Sequence, residues 1–515
     1  MTKKFIFKGL TLLLILSLAL VGCSSNASKE ESADESKEAV QELTYATTSK
    51  VVGLSPIMTN DSVSSSVNEQ IYETLFVRDA DSGEISGLLA EKAENPDPNT
   101  WVITLKKDIK FHDGTDFNAE AVKYTFDKIK DPKTAAPRAS LLEPIKSIEV
   151  QDEHTVVLKT EKPYGPMLAA LTHSNAAIVS PTADQKQDLM TNPVGSGPFK
   201  FKAKENGEDI VLEANKDYWQ GEPKLQKVTF KVVPEVTTAI SMLQTGKVNF
   251  MDNISAELLP RVEKIKNVEI DKKNGTPVYY LAFNMQKEPM TNPEFRKAVA
   301  AAIDREGYVD KLRGLGVKSG SFIGPEVFGY DESIEEKAPK YNPEEAKKIV
   351  EANGFGEQEI KLLVANTPNY MNMAEVFQAQ LTEAGFNVKI ETLEWGTYLD
   401  VSKQGKFDLT IAGWSNVTGD GSELLFPRLH SKNAGETNVG SYNNPNLDKL
   451  IEESRATVDQ EERKKLLNEA NELVLTELPV LPIYHGIATV VRENTVEGIN
   501  LEPTGQWSLY NTERK

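Results

Sequence analysis

The chain has a single cysteine, Cys23, and it directly follows an apolar run, GLTLLLILSLALV (residues 9–21). The body beyond it therefore has no internal disulfide, no thiolate metal site and no cysteine nucleophile. Its folded state must come from burial and backbone hydrogen bonding alone. Lys3, Lys4 and Lys8 precede the apolar run, with no acid among them. A basic start, a short apolar stretch and small residues before a processing point make a secretory signal, and the stretch is too short to span a bilayer comfortably.

The LVGC end of that segment resembles a bacterial lipobox. The resemblance implies that residues 1–22 are a lipoprotein signal peptide and that Cys23 is lipidated as the new N-terminus. Residues 24–42 (SSNASKEESADESKEAVQE) are polar, charged and poor in large apolar groups, so 23–42 reads as a lipidated, flexible tether. The expected location is outside the cytoplasmic membrane, lipid-anchored to it in the Gram-positive manner. The signal carries three lysines and no acid, so its removal takes the formal net charge from −19 to −22. Such a surface excludes nucleic acid as a partner and excludes polybasic membrane binding. About 490 residues remain, more than one hydrophobic core organises, so more than one domain is expected.

Strand and helix patterns alternate through most of the chain. WVITLKKDIKF (101–111) alternates apolar and polar residues as a strand does, and AEAVKYTFDKIKD (119–131) has helical periodicity with Asn118 as its cap. VYYLAFNM (278–285) is an apolar strand, and NPEFRKAVAAAIDREGYVDKL (292–312) is a helix with Pro293 in its first turn. NVKIETLEW (387–395) and FDLTIAGW (407–414) read as strands, and LPVLPIYHG (478–486) as a buried extended segment. This alternation predicts an α/β fold. GSG at 195–197 lacks the length and the Lys-Ser/Thr of a phosphate-binding loop. The five histidines are scattered, without an HExxH or HxxxH spacing.

Several stretches together resemble one family, the extracytoplasmic solute-binding proteins of ABC importers for peptides, dipeptides, glutathione, nickel chelates and haem. They are NEQIYETLFVRD, WVITLKKDIKFHDGTDFNAEAVKYTFDKI, NPVGSGPFKF with NKDYW, AFNM followed by NPEFRKAVAAAIDRE, and AGWSNVTGD. The resemblance implies an α/β, two-lobed periplasmic-binding-protein clamshell, with mixed sheets in each lobe, an extra inserted subdomain and the ligand cleft between the lobes. It places lobe one at 43–76, 194–275 and 483–515, the insertion at 77–193 and lobe two at 276–482. Hinge strands then fall near residues 275 and 483.

Candidate ligand residues follow from the loops that end strands. In GWSNVTGDG (413–421), Asp420 stands between Gly419 and Gly421, with no flanking bulk to cover it. In dipeptide- and glutathione-binding relatives the matching aspartate accepts the ligand's α-amino group, and a turn-capping role is the alternative. Gly413, Trp414, Ser415 and Gly419 belong to the same loop, where Trp414 is either a flat wall for the ligand or core. Trp395 reads as structural. Arg138, in KTAAPRASLL, is a candidate partner for a ligand carboxylate or else a surface arginine. Asn60, Asp61 and Ser62 match a family loop facing the cleft, and each is also a possible helix cap. Dipeptide-type relatives can use an arginine around NTPNYMN (366–372), where this chain has Asn369 and Tyr370. A glutathione-like tripeptide or another short peptide is therefore the expected ligand.

The expected role is a binding lipoprotein that captures such a peptide, as a monomer, and hands it to an ABC permease with its ATPase subunits. No enzymatic activity, cofactor or metal is expected. A nickel chelate or haem in the same fold is an alternative, with His173, His430 and His485 near the cleft, and peptide sensing in place of uptake is another. A hydrolase is disfavoured, since neither GxSxG nor a local Ser-His-Asp signature occurs.

Overall fold

The computed structural model describes residues 41–515. The signal peptide, Cys23 and the tether to residue 40 lie outside the described residues. An eleven-stranded mixed sheet organises the rest. From one edge its order is Asn387–Leu393, Glu359–Ala365, Leu409–Trp414, Val268–Phe283, Val480–Glu493, Phe250–Asp252, Glu42–Thr47, Lys227–Val232, Asp209–Ala214 and Phe199–Glu205, with Gly316–Val317 pairing beside Val480–Glu493. Parallel pairs occur in both halves, Glu359–Ala365 with Asn387–Leu393 and Glu42–Thr47 with Lys227–Val232. Each half is mixed, as expected, but hydrogen bonds between two long strands join the halves into one path.

Those strands are Val268–Phe283 and Val480–Glu493, antiparallel to each other. Side chains alternate across a strand, and along VYYLAF the alternation is complete. Val278, Tyr280 and Ala282 enter one core with Phe322, Leu424 and Leu467, while Leu281 and Phe283 enter another with Phe295, Phe377 and Ile411. Further along both strands the company changes. Val268 and Ile270 pack with Ile240, Leu243 and Val491, and Val490 packs with Tyr45, Phe230 and Trp507. Each long strand thus serves the cores of two lobes. Between them the pairing shifts register from Asn274 to Val278. Gly275 sits at that break, where a Cβ would lie 2.5 Å from the carbonyl oxygen of Gly486. Only glycine allows the two backbones to come so close.

The segment expected as an insertion contains a four-stranded antiparallel sheet, in the order Ala90–Asp97, Thr100–Leu105, Thr155–Thr160 and Ile145–Asp152. Thr100–Leu105 buries every second residue, as its sequence pattern predicts. Helix Ala119–Lys130 is capped by Asn118, which accepts from the Ala121 amide. Helix Ser62–Ile71 is capped by Asp61, which accepts from Ser64 N–H. Two local expectations change. The helix expected over 292–312 is two, Pro293–Ala302 and Arg305–Lys311, because Asp304 caps the second by accepting from Gly307 N–H. Trp395 is not at the end of a strand. It opens helix Trp395–Lys403, whose cap is Glu394.

The GSG turn has a packing role. Gly197 N–H donates to Ile71 O at 2.9 Å, and a Cβ on Gly195 would sit 2.0 Å from that same oxygen. His112 clamps the turn, its backbone N–H donating to Gly195 O and its Nε2–H to Gly197 O at 2.9 Å. Burial pushes the His112 imidazole down to about 4, outweighing the Gly197 hydrogen bond that favours its charged form. An unfolded histidine takes up a proton near pH 6.5, so between about 6.5 and 4 the unfolded chain binds a proton the folded one refuses. Stability from this group is present above that window and lost as pH falls through it. The wild type is therefore expected to lose up to about 3 kcal/mol more than His112→Gln between pH 7 and 4, measured by urea unfolding.

Candidate functional site

A cavity of about 590 Å³ lies along helix Ser62–Ile71 and the chain's last loop, lined among others by Asn60, Glu69, Arg78, His173, Ser415 and Glu502. Beside it is a second cavity of about 300 Å³, lined by Tyr370, Trp395, Gly413, Trp414 and Arg428 among others. Arg138 and Ser415 line both. The first volume is ordinary for a small-molecule site and the second is at the lower end of the range.

Most of the residues expected from sequence meet here. Asn60, Asp61 and Ser62 line the larger cavity. Asp61 is engaged as the helix cap, and Asn60 Oδ1 accepts from Arg138 Nε at 2.6 Å. Arg138 has no acid within ion-pair distance among the described residues. Burial lowers its guanidinium despite the opposing charge of Glu423. Trp414 is half-buried and donates from Nε1 to Glu423 O at 3.0 Å, so it is wall and core together. Gly413 is required for Tyr370 to stand where it does, since a Cβ there would lie 2.9 Å from Tyr370 Oη.

Asp420 departs from expectation. Its flanking glycines do not leave it uncovered; it is 2% exposed and lines neither cavity. Arg463 Nη2 donates to both carboxylate oxygens, at 2.9 and 2.8 Å, and Ser422 adds its N–H at 2.9 Å and its hydroxyl at 2.7 Å. Burial pushes the carboxyl up, but Arg463 and Ser422 outweigh it and hold the group below the usual range. Gly419, at φ +65°, brings the loop against Arg78, whose Nη2 donates to Thr418 O at 2.6 Å.

The histidines do not converge. His485 is fully buried with Nε2 on Ser321 O, and His430 has Nε2 near Glu452. His173 alone of the three lines the larger cavity, and burial pushes its imidazole down to about 3. Among the described residues no group of three or more His, Cys, Asp or Glu side chains is placed to hold a metal ion.

Sequence reading passed over Glu69, Glu502, Arg78 and Arg428, and took Trp395 as structural. Glu69 and Glu502 both line the larger cavity and neither has an ion-pair partner among the described residues. Burial pushes both carboxyls up, with the Glu502 charge adding to the rise at Glu69. One signal was available: Arg428 has no acid three or four residues away.

A two-lobed α/β fold that leaves a charged, partly enclosed cavity system of this size is the architecture of a protein that holds a small solute. The comparisons agree. The family described as bacterial extracellular solute-binding proteins, family 5 (middle part), matches residues 84–436. The chain is 29% identical to "Heme-binding protein A" of Haemophilus influenzae over 531 residues, covering 96% of both chains. It is 28% identical over 488 residues to "Glutathione-binding protein GsiB" of Salmonella choleraesuis, covering 92% of this chain and 93% of that one. Among solved structures, HbpA2 from Haemophilus parasuis superposes with a TM-score of 0.84 at 25% identity, over 92% of this chain and all of that one. DppA from Helicobacter pylori, in complex with the peptide STSA, superposes with a TM-score of 0.76 at 27% identity, over 92% of this chain and 98% of that one. The chain belongs to the family 5 bacterial extracellular solute-binding proteins.

The Asp420–Arg463 pair yields a test of how this loop is held. Removing one partner of a buried ion pair leaves an uncompensated charge, so Arg463→Met is expected to cost about 3–5 kcal/mol in denaturant unfolding. Adding Asp420→Asn to that variant is expected to restore a large part of the loss.

Proposed function

We propose that this protein is the substrate-binding lipoprotein of an ABC importer, and that it captures a short peptide, a tripeptide of glutathione type or a related di- or oligopeptide. The observation that carries this reading is the set of charged groups without ion-pair partners along the two adjoining cavities. Among the described residues, Glu69 and Glu502 are such carboxyls in the larger one, where the Arg78 charge also acts on Glu502, and Arg138 is such a guanidinium where the two meet. A zwitterionic peptide matches that layout. Its ammonium group lies toward Glu69 and Glu502, whose raised carboxyls a bound cation brings back down, Arg138 donates to a peptide carbonyl where the cavities meet, and the anionic end lies beyond it in the smaller cavity. Asp420 then supports the loop through Arg463 and reads no ammonium directly. Tyr370, Trp414, Ser415 and the Asn60–Ser62 loop complete the walls.

The same reading takes the chain as a binder without catalysis, monomeric, held to the outer face of the cell membrane by lipid on Cys23, and serving permease and ATPase subunits that supply the energy. It takes 43–76, 194–275 and 483–515 as lobe one, 77–193 as its insertion and 276–482 as lobe two. The hinge lies where both long strands change cores, at Gly275–Val278 and His485–Ala488, and closure there encloses the ligand. The relatives named for haem keep the metal alternative in view, but His430 and His485 face other partners, which favours the peptide.

Native mass spectrometry of the protein as purified tests the proposal, the expected result being a co-purifying peptide or glutathione mass. A porphyrin or nickel chelate in its place would overturn it. A bound peptide at a hundred times its Kd is expected to add about 2.7 kcal/mol of stability, read as a rise in Tm. Arg138→Met is expected to weaken that peptide by about ten-fold or more, through loss of a charge-assisted hydrogen bond.

A further inference from the structure

The smaller cavity has a chemistry of its own. One wall is an aromatic stack in which the rings of Tyr370 and Trp395 lie 6.3 Å apart at 15°, and those of Trp395 and Tyr398 lie 5.6 Å apart at 26°. Trp395 is nevertheless 45% exposed, and Leu399, one turn along the same helix, is 38% exposed. Few large apolar side chains of the described residues are exposed to that degree, and these two line the same cavity. An apolar face left open within a concavity marks a place for a partner group.

Arg428 supplies the polar end. Its guanidinium lies over the rings of Trp414 and Tyr280, 5.1 and 5.6 Å from their centroids, and its Nε donates to Tyr280 Oη at 2.5 Å. These contacts fix the plane of the fork. They leave Nη1 and Nη2 with no acid within ion-pair distance among the described residues. Of the other charges lining this cavity, Lys403 and Glu436 are 3.2 Å apart and answer each other, and Arg138, at the border with the larger cavity, donates its Nε to Asn60 Oδ1. A flat apolar wall beside one oriented, uncompensated guanidinium suits a planar side chain that carries a carboxylate close by.

We infer that this cavity receives the carboxyl-terminal residue of the bound peptide, with an aromatic side chain laid on Trp395 and Tyr370 and the α-carboxylate held by both terminal nitrogens of Arg428. The inference rests on the peptide reading of the larger cavity and makes it specific. The preferred ligand ends in an aromatic residue, and glutathione, which ends in glycine, binds less tightly.

Calorimetry on the full-length protein in detergent, with Ala-Ala-Phe, Ala-Ala-Gly and Ala-Ala-Phe-amide, tests this. Ala-Ala-Phe is expected to bind about ten-fold or more tightly than Ala-Ala-Gly, and Trp395→Ala to bring the two within about two-fold of each other. Amidation is expected to weaken the wild type by about ten-fold or more and to make no difference in Arg428→Met. Equal binding of the Phe- and Gly-terminated peptides, or equal sensitivity to amidation with and without Arg428, would overturn the inference. N-acetyl-phenylalanine separates it from the reading beneath it. If the tripeptides fail but this probe binds in a way that Trp395→Ala and Arg428→Met abolish, the cavity assignment stands and the peptide proposal falls. If neither the tripeptides nor the probe binds, both fall.

Discussion

The antiparallel pairing of Val268–Phe283 with Val480–Glu493 is the constraint on which the rest depends. These two strands are members of both halves of the sheet, so neither lobe's core closes without them. Their apolar side chains alternate between two cores at one end and between two others at the opposite end. The crossing point is narrow, and Gly275 lies there against the Gly486 carbonyl. The cavities border the lobes this junction connects.

Charge pairing then sorts the polar residues into two kinds. Asp420 and Arg463 are both nearly fully buried and are bound to each other through two hydrogen bonds. Desolvation has been met within the pair, and its effect is to hold the GWSNVTGDG loop in place. Arg428 has a guanidinium oriented by ring faces and a tyrosine hydroxyl but no counter-charge among the described residues, and Arg138 rests only on Asn60. Groups oriented without being neutralised are the ones available to a ligand.

Much of the architecture was legible because its signals are local. The alternation in WVITLKK and VYYLAFNM, the cap at Asn118, Pro293 in a first helical turn and the turn glycines depend on neighbours a few residues away. The loops carrying Asn60, Arg138 and Ser415 were legible too, through motif order, and they do border the cavities. What misled was local inference applied to long-range facts. Two glycines beside Asp420 suggested an open carboxylate, but what covers it is an arginine forty-three positions away. Trp395 followed a strand pattern and was taken as structural, although Glu394 turns the chain into a helix and leaves the indole exposed.

Sequence by itself therefore determined the α/β alternation, the family and the set of loops that end at the site, because periodicity, caps and motifs are written in adjacent residues. Tertiary structure alone decided which charges are answered and which stand free. Arg463 meets Asp420, Glu69 and Glu502 come to one cavity, and Arg428 settles on Trp414 and Tyr280 without an acid. Electrostatic neutralisation depends on distance in space, and the distances that matter here are set by the folding of segments up to several hundred residues apart.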